Sequence, residues 1–220
     1  MNLTFLGHAC FLLDDGNCRV LTDPYLSENP LAPVKPDNVE ADYICVTHGH
    51  GDHIGDTVQI ARRTGAMICC PVELGSAVFA PQGLDTIPAN LGGTCKLPFG
   101  SVKLVPALHG SGVPGCLSCG FLFEIGGKKI YHAGDTALIS EMALLAEEDI
   151  DVALLPIGDV YTMGPKDALR AVKMIRPKLV IPMHYNTFPL IVQDPNAFAE
   201  AVTASGFQAT VLEPGQTLSL

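Results

Sequence analysis

Apolar and polar positions alternate so as to divide the chain into short strands, punctuated by turn residues, with a few amphipathic helices between them. Leu3–Leu6, Ala9–Leu13 and Cys18–Thr22 read as three successive strands. Asp14-Asp15-Gly16-Asn17, between the last two, tolerates positive φ and predicts a hairpin turn. Tyr43–Val46 is a continuous apolar run, the pattern of a strand buried on both faces. Thr57–Arg63 reads as a helix stopped by Gly65, and Ala66–Cys70 returns as a buried strand, giving a β-α-β unit. Val72–Phe79 predicts a short helix ahead of Pro81. A hairpin is expected to turn at Phe99-Gly100 within Leu97–Leu104, and another at Gly126-Gly127 between Leu117–Ile125 and Lys129–Tyr131. Thr136 is expected to cap a helix running through Ala146. Asp151–Pro156 and Leu179–Pro182 read as buried strands on either side of a helix at Pro165–Arg176, which has proline in its first turn and Pro177 just beyond its end. Asp194-Pro195 starts a last helix that stops at Gly206, and Thr210–Leu212 and Thr217–Leu220 are expected to close the chain as strands.

Strands alternating with amphipathic helices predict an α/β fold, in which packed sheets are covered by helices. No linker or shift of composition interrupts the pattern, so residues 1–220 are expected to form a single domain. Residues 24–40 stand apart. They hold prolines at 24, 30, 33 and 36, show little periodicity, and predict a long loop that either covers a site or is a passive excursion.

Composition narrows the function classes. A hydrophobic content of 48% and mean hydropathy of +0.30 describe a chain that can bury a large core. With 13 basic and 23 acidic residues the net charge is −10, which argues against a nucleic-acid partner. A small phosphorylated substrate stays open, because a bound divalent ion would reverse the local field. No apolar run reaches the ~20 residues of a membrane span. The N-terminus has no basic region of a signal peptide. Together with eight cysteines, these features lead to an expectation of a cytoplasmic protein with free thiols. Cys10, Cys18, Cys45, Cys69, Cys70 and Cys95 lie in apolar stretches and read as small core residues. Cys116-Leu117-Ser118-Cys119 has the spacing of a redox pair or metal clip. No second pair completes a four-thiolate site, so two reduced thiols are the favoured reading.

The chemistry concentrates in Thr47-His48-Gly49-His50-Gly51-Asp52-His53-Ile54-Gly55-Asp56, where three histidines and two carboxylates fall within nine residues after a buried strand. Imidazoles suit zinc, and carboxylates widen the choice to harder ions such as manganese. One ion cannot easily use so many groups from one turn, whereas two ions about 3.5–4 Å apart can. The alternative is a polar loop that happens to be rich in histidine.

His48-Gly49-His50-Gly51-Asp52-His53 resembles the H-x-H-x-D-H signature of the metallo-β-lactamase superfamily. His109 after Val105–Leu108, Asp135 in His132-Ala133-Gly134-Asp135-Thr136, and His184 after Val180–Met183 match that family's remaining ligands in order. The resemblance covers essentially the whole chain. It implies an αββα sandwich of two mixed β-sheets flanked by helices, with a two-metal site at one edge. By that resemblance His48, His50 and His109 would hold one divalent ion, Asp52, His53 and His184 the other, and Asp135 would bridge them. A water or hydroxide between the ions, oriented by Asp52, would be the nucleophile. Zinc, manganese and iron all suit such ligands.

The segments Gly7–Phe11, Thr22–Pro24, Ile157–Pro165 and Met183–Pro189 resemble the small bacterial and archaeal metal-dependent hydrolase branch, related to ascorbate-6-phosphate lactonase and N-acyl-phosphatidylethanolamine phospholipase D. The implied activity is hydrolysis of an ester, lactone, amide or phosphodiester of a small molecule. RNA processing is the alternative within the superfamily, opposed by the acidic balance and by the lack of an inserted RNA-binding arm. An iron-dependent oxidoreductase and a non-catalytic metal-binding module are the alternatives from other classes. His8 and Asp23, each at a strand end, are candidates for contact with the substrate or for support of a ligand, and His132 for buttressing the Asp135 loop. Asp159, Tyr161 and Thr162, ahead of a helix N-terminus, and Asn186 are candidate substrate contacts. The apolar loop Phe188–Val192 is a candidate contact between copies of the chain.

Overall fold

Strands that are apolar at consecutive positions are stable only where both faces are covered, and the chain builds two sheets that meet this condition. The computed structural model describes residues 1–220. Its first half forms β1 (Asn2–Phe5), β2 (Phe11–Asp14), β3 (Arg19–Thr22), β4 (Tyr43–Cys45), the single helical turn α1 (Gly51–Ile54), α2 (Thr57–Thr64), β5 (Met67–Pro71), α3 (Val72–Leu74, widened into a π-turn over Gly75–Phe79) and β6 (Thr86–Ala89). Its second half forms β7 (Thr94–Leu97), β8 (Gly100–Pro106), β9 (Cys119–Ile125), β10 (Lys128–His132), β11 (Val152–Pro156), α4 (Pro165–Ile175), β12 (Leu179–Met183), α5 (Pro195–Ala204), β13 (Gln208–Ala209) and β14 (Thr217–Ser219).

The strands make two seven-stranded mixed sheets, in the orders β14-β1-β2-β3-β4-β5-β6 and β13-β12-β11-β10-β9-β8-β7. In the first, β14 through β3 pair antiparallel and β3 through β6 parallel. The second repeats the plan, antiparallel from β7 to β10 and parallel from β10 to β13. Side chains alternate between faces along each strand. In the first sheet Val20, Cys45 and Cys69 join the core shared with the second sheet. Their neighbours Leu21, Ile44, Ile68 and Cys70 pack instead with Ile60 and Ala61 of α2. On the second sheet Ala168 and Val172 of α4 and Phe198 and Val202 of α5 complete the cover. The result is the αββα sandwich.

Local stops fall where the chemistry requires them. Gly65 ends α2 in the left-handed region, and the Asp194 carboxylate caps α5 by accepting from Asn196 N and Ala197 N. Two expectations are corrected, and one strand was not expected. Thr136 caps no helix: its hydroxyl accepts from Leu108 N at 3.0 Å and donates to Ala137 O, and the following helix is a 3₁₀ segment, Ser140–Glu147, with no side-chain cap. Thr210–Leu212 is not a strand. The ladder closes at Gln208–Ala209 with a last bond from Thr210 N to Val180 O, and the chain then turns inward so that Leu212 is buried ahead of Pro214. The half-exposed strand β6 escaped prediction altogether, because its Thr86-Ile87-Pro88-Ala89 lacks an apolar run.

His132 joins the two sheets. Its Nε2 donates to Ala9 O at 2.8 Å across the sandwich, and its Nδ1 accepts from Gly134 N at 3.1 Å. Burial holds its pKa below the usual histidine value, so it is neutral in the fold and becomes charged more readily in the unfolded chain. The unfolded state therefore binds more protons as the pH falls below about 6.5, and stability falls with it, by at most ~1.4 kcal/mol per pH unit for one group. Replacing His132 with Gln, which keeps a donor for Ala9 O, is expected to flatten the loss of stability between neutral pH and pH ~5. Denaturant titrations at several pH values check this, and an unchanged slope contradicts it.

Candidate metal centre

All seven ligands implied by the resemblance lie just past C-terminal strand ends or on the turn that follows, and His8, Asp23 and Asp159 lie on the same rim. His48 and His50 follow β4, Asp52 and His53 sit on α1, His109 follows β8, Asp135 follows β10 and His184 follows β12. The cluster is thus not wholly in a loop: the single turn of α1 places Asp52 and His53 on one side. Donor atoms of His48, His50 and His109 lie within 4.8 Å of one another, as do those of His48, His53 and Asp135, and those of His8, Asp52, His53 and His184.

Hydrogen bonds fix which nitrogen of each ring faces inward. Asp23, fully buried after β3, accepts from Thr47 N, Thr47 Oγ1 and His53 Nδ1, each at 2.8 Å. A carboxylate only accepts, so His53 carries its proton on Nδ1 and turns Nε2 into the site. The Thr47 hydroxyl, having given its proton to Asp23, accepts from His48 Nδ1 at 3.0 Å, which frees His48 Nε2. That atom lies 3.0 Å from His50 Nδ1, which is 3.2 Å from His109 Nε2. One His50 proton can satisfy only one of these neighbours. Three imidazole nitrogens at such spacing instead match the edges, about 3.3 Å, of a tetrahedron around an ion with ~2.0 Å bonds.

Asp135 lies between the sets. Its Oδ2 is 3.1 Å from His184 Nε2 and 3.5 Å from His109 Nε2, and its Oδ1 is 3.3 Å from His53 Nε2. His53 Nε2, Asp135 Oδ1 and both ring nitrogens of His184 are buried with no hydrogen-bond partner. Orphaned buried polar atoms are costly, and a cation at their meeting point would satisfy them. The donor set therefore fits metal ions.

The fields agree. Burial favours neutral imidazoles at His48 and His109 and lowers both pKa values. Burial also opposes a charged His53, but Asp135 and Asp23 on either side outweigh it and raise its pKa well above the usual value. Burial opposes the Asp135 and Asp52 charges as well. His53 and His184 hold Asp135 ionised, and the bond from His8 with the field of His53 does the same for Asp52. His8, buried beside His184, has its pKa lowered to about 4. It is therefore neutral at pH 7, with its proton on the Nε2 that faces Asp52 Oδ2 at 3.1 Å, and its Nδ1 accepts from Thr187 Oγ1 at 2.6 Å.

The Beta-lactamase superfamily domain matches residues 2–184. The chain belongs to the metallo-β-lactamase superfamily. Over its whole length it is 51% identical to a UPF0173 metal-dependent hydrolase of Symbiobacterium thermophilum, with all of that protein covered. It is 47% identical to one of Thermus thermophilus, covering 100% of this chain and 99% of that one. Among solved structures, the metallo hydrolase Igni18 of Ignicoccus hospitalis superposes with a TM-score of 0.93 at 40% identity, covering 99% of this chain and 97% of that one. This member of the superfamily is a metal-dependent hydrolase, and no helix in it is long and apolar enough to cross a membrane.

In this hydrolase the remaining sequence candidates have distinct positions. Tyr161 lies beside Asp52 in an open cleft. Asp159 packs its carboxylate against Gly164 at the start of α4, and the Thr162 hydroxyl bonds to Met163 O, so both are engaged in their own loop. Asn186 accepts from Gln193 N and closes the loop after β12. Four contributors escaped notice in the sequence. Thr47 orients His48 and Thr187 orients His8 through their hydroxyls. Asp56 accepts from Leu26 N and Ser27 N and so pins the proline-rich loop to the histidine-rich turn, and at Gly158 any Cβ would collide with His184 O. Asp56 left a trace as the second carboxylate of the histidine-rich stretch, and Gly158 and Thr187 lie in segments that resemble the hydrolase branch, but none of the four was given a role. All eight cysteines are free; Cys116 and Cys119 are both buried and form no disulfide, and their thiols donate to Leu117 O and Thr47 O.

Asp23→Asn keeps the shape of the carboxylate but can present an amide donor to His53 Nδ1. Metal affinity is expected to fall roughly 10- to 100-fold, as for other supporting partners of metal-bound histidines. Competition with a chromogenic chelator measures this, and an affinity equal to that of the unaltered protein would refute the role given to Asp23.

Proposed function

We propose that the chain is a cytoplasmic hydrolase with a binuclear centre, holding one divalent ion on His48, His50 and His109 and another on Asp52, His53 and His184, with Asp135 shared between them. Zinc or manganese suits the nitrogen-rich, carboxylate-containing set, and iron is the third option. The observation that carries this reading is the placement of Asp135, whose two oxygens face histidines of both sets while buried atoms around it lack partners. The eight free thiols support a reducing compartment.

Divalent ions bound there supply a nucleophile at neutral pH, by lowering the pKa of water, and polarise the scissile bond. The chain's own residues do the rest. Asp52 Oδ2, ionised and 3.1 Å from His8 Nε2, is placed to accept a hydrogen bond from the attacking water and to fix its approach. His8 holds Asp52 in place and is itself held by Thr187. Asp23 and Thr47 keep His53 and His48 from turning. Attack on an ester or lactone carbonyl breaks the C–O bond, and the proton lost by water leaves with the alcohol.

Zinc- or manganese-loaded protein is expected to hold about two ions per chain and to hydrolyse simple esters, lactones or phosphodiesters. His109→Ala is expected to reduce the metal content. Asp52→Asn is expected to cost on the order of 10²–10⁴ in turnover with the fold intact. Metal analysis alongside a substrate panel decides the matter. A chain that binds no metal, or whose turnover ignores both substitutions, is not this enzyme.

A further inference from the structure

Beside the ligands the surface opens into a cleft of about 690 Å³. Asp52 is part of its lining. Tyr25 and Glu28 come from the loop after β3, Tyr161 from the loop after β11, and Phe188 and Leu190 from the loop after β12. No lysine or arginine lines it, and Glu28 and Asp52 are its only carboxylates. Tyr161 is 50% exposed and Leu190 60%, large apolar surfaces left uncovered next to a catalytic centre.

The walls are fixed in place. The Tyr25 hydroxyl donates to Glu28 O at 2.9 Å, and Asp56 ties the next two residues to the turn that carries Asp52. The Phe188 ring lies 6.1 Å from that of Tyr25 and 5.4 Å from that of His8. The Phe188 ring thus links Tyr25 on the cleft wall to His8 of the site.

We propose that this cleft selects substrates whose acyl or leaving group is uncharged and apolar, an aromatic ring or a short alkyl chain, and disfavours phosphorylated or carboxylated ones. The inference rests on the hydrolase reading for its reaction, but its chemistry stands on the cleft. An anionic group seated away from the metal-binding end meets Glu28, with no lysine or arginine on the wall. An apolar group covers Tyr161 and Leu190, gaining up to about fourfold in transition-state affinity per buried methylene.

Two measurements on the metal-loaded protein test this. In the first, hexanoyl and acetyl esters of one alcohol are compared with a hexanoyl analogue carrying a terminal carboxylate. The neutral hexanoyl ester is expected to exceed both others at least tenfold in kcat/KM. In Tyr161→Ala/Leu190→Ala the hexanoyl-to-acetyl ratio is expected to fall toward one, and Glu28→Lys is expected to raise kcat/KM for the carboxylate analogue at least fivefold. The second titrates the unreactive ketone 4-phenyl-2-butanone by NMR. Its shifts are expected to map to the Tyr25, Tyr161 and Leu190 loops, and its Kd to weaken about tenfold in the double variant.

Flat kinetics across the series, or a wild-type preference for the anionic ester, overturns the proposal. If no ester or lactone turns over, the hydrolase reading falls, and the cleft is judged on the ketone alone: shifts elsewhere, or equal affinity in the double variant, overturn it. A dimer that Leu190→Glu dissociates and that excludes the ketone also overturns it, since the apolar surface then belongs to a second copy of the chain.

Discussion

Asp23 is a carboxylate with no access to water, and the metal centre is arranged around what it accepts. Three hydrogen bonds of 2.8 Å satisfy it, two from Thr47 and one from His53. Such a group is tolerated in a low-dielectric interior only if its partners stay in place, so it fixes them. Through His53 it acts on one candidate ligand directly. Through the Thr47 hydroxyl it acts on His48, a second candidate ligand. Because Asp23 ends β3 while Thr47 follows β4, the same bonds hold two neighbouring strands in register at the rim where the ligands converge.

The second sheet reaches that rim by a different device. His8 and His184 both adopt left-handed backbone conformations, with φ of 58° and 55°, and His184 N donates to His8 O at 2.8 Å. Non-glycine residues hold such conformations only where their surroundings enforce them. Here the bond joins the end of β1 to the end of β12, one strand from each sheet, and brings the two rings to 3.9 Å. Gly158 leaves the room that the His184 carbonyl needs. The strain is local, and the geometry it supports draws together residues 176 positions apart.

Much of this was legible in the chain. The run of His48, His50, Asp52 and His53 after an apolar strand marked a candidate metal-binding turn, and the resemblance to the superfamily singled out His109, Asp135 and His184, each of which follows an apolar strand. Strands buried on both faces and helices with clear caps were read correctly for the same reason: burial and capping leave a periodic or punctuating mark. What escaped were elements whose stability comes from distant partners. Thr136 looks like a cap from its neighbours, yet it spends its hydroxyl on the strand end that carries His109. Thr47 and Thr187 are ordinary threonines until a histidine is placed beside them. Tyr25 lies in a proline-rich stretch without periodicity, and only its anchorage through Asp56 shows that the loop forms one wall of the cleft.

The same arrangement sets the electrostatics of the centre. His53, between Asp135 and Asp23, is the place where a positive charge is favoured despite burial, whereas His48 is kept neutral by burial. A nitrogen that bonds a metal must be free of its proton, so metal binding at a histidine is coupled to its protonation. The hydrogen bond from His53 Nδ1 to Asp23 holds the ring with Nε2 turned into the site. A carboxylate sealed behind the histidine thus keeps the ring from turning, and this links the buried acid of the fold to the open rim.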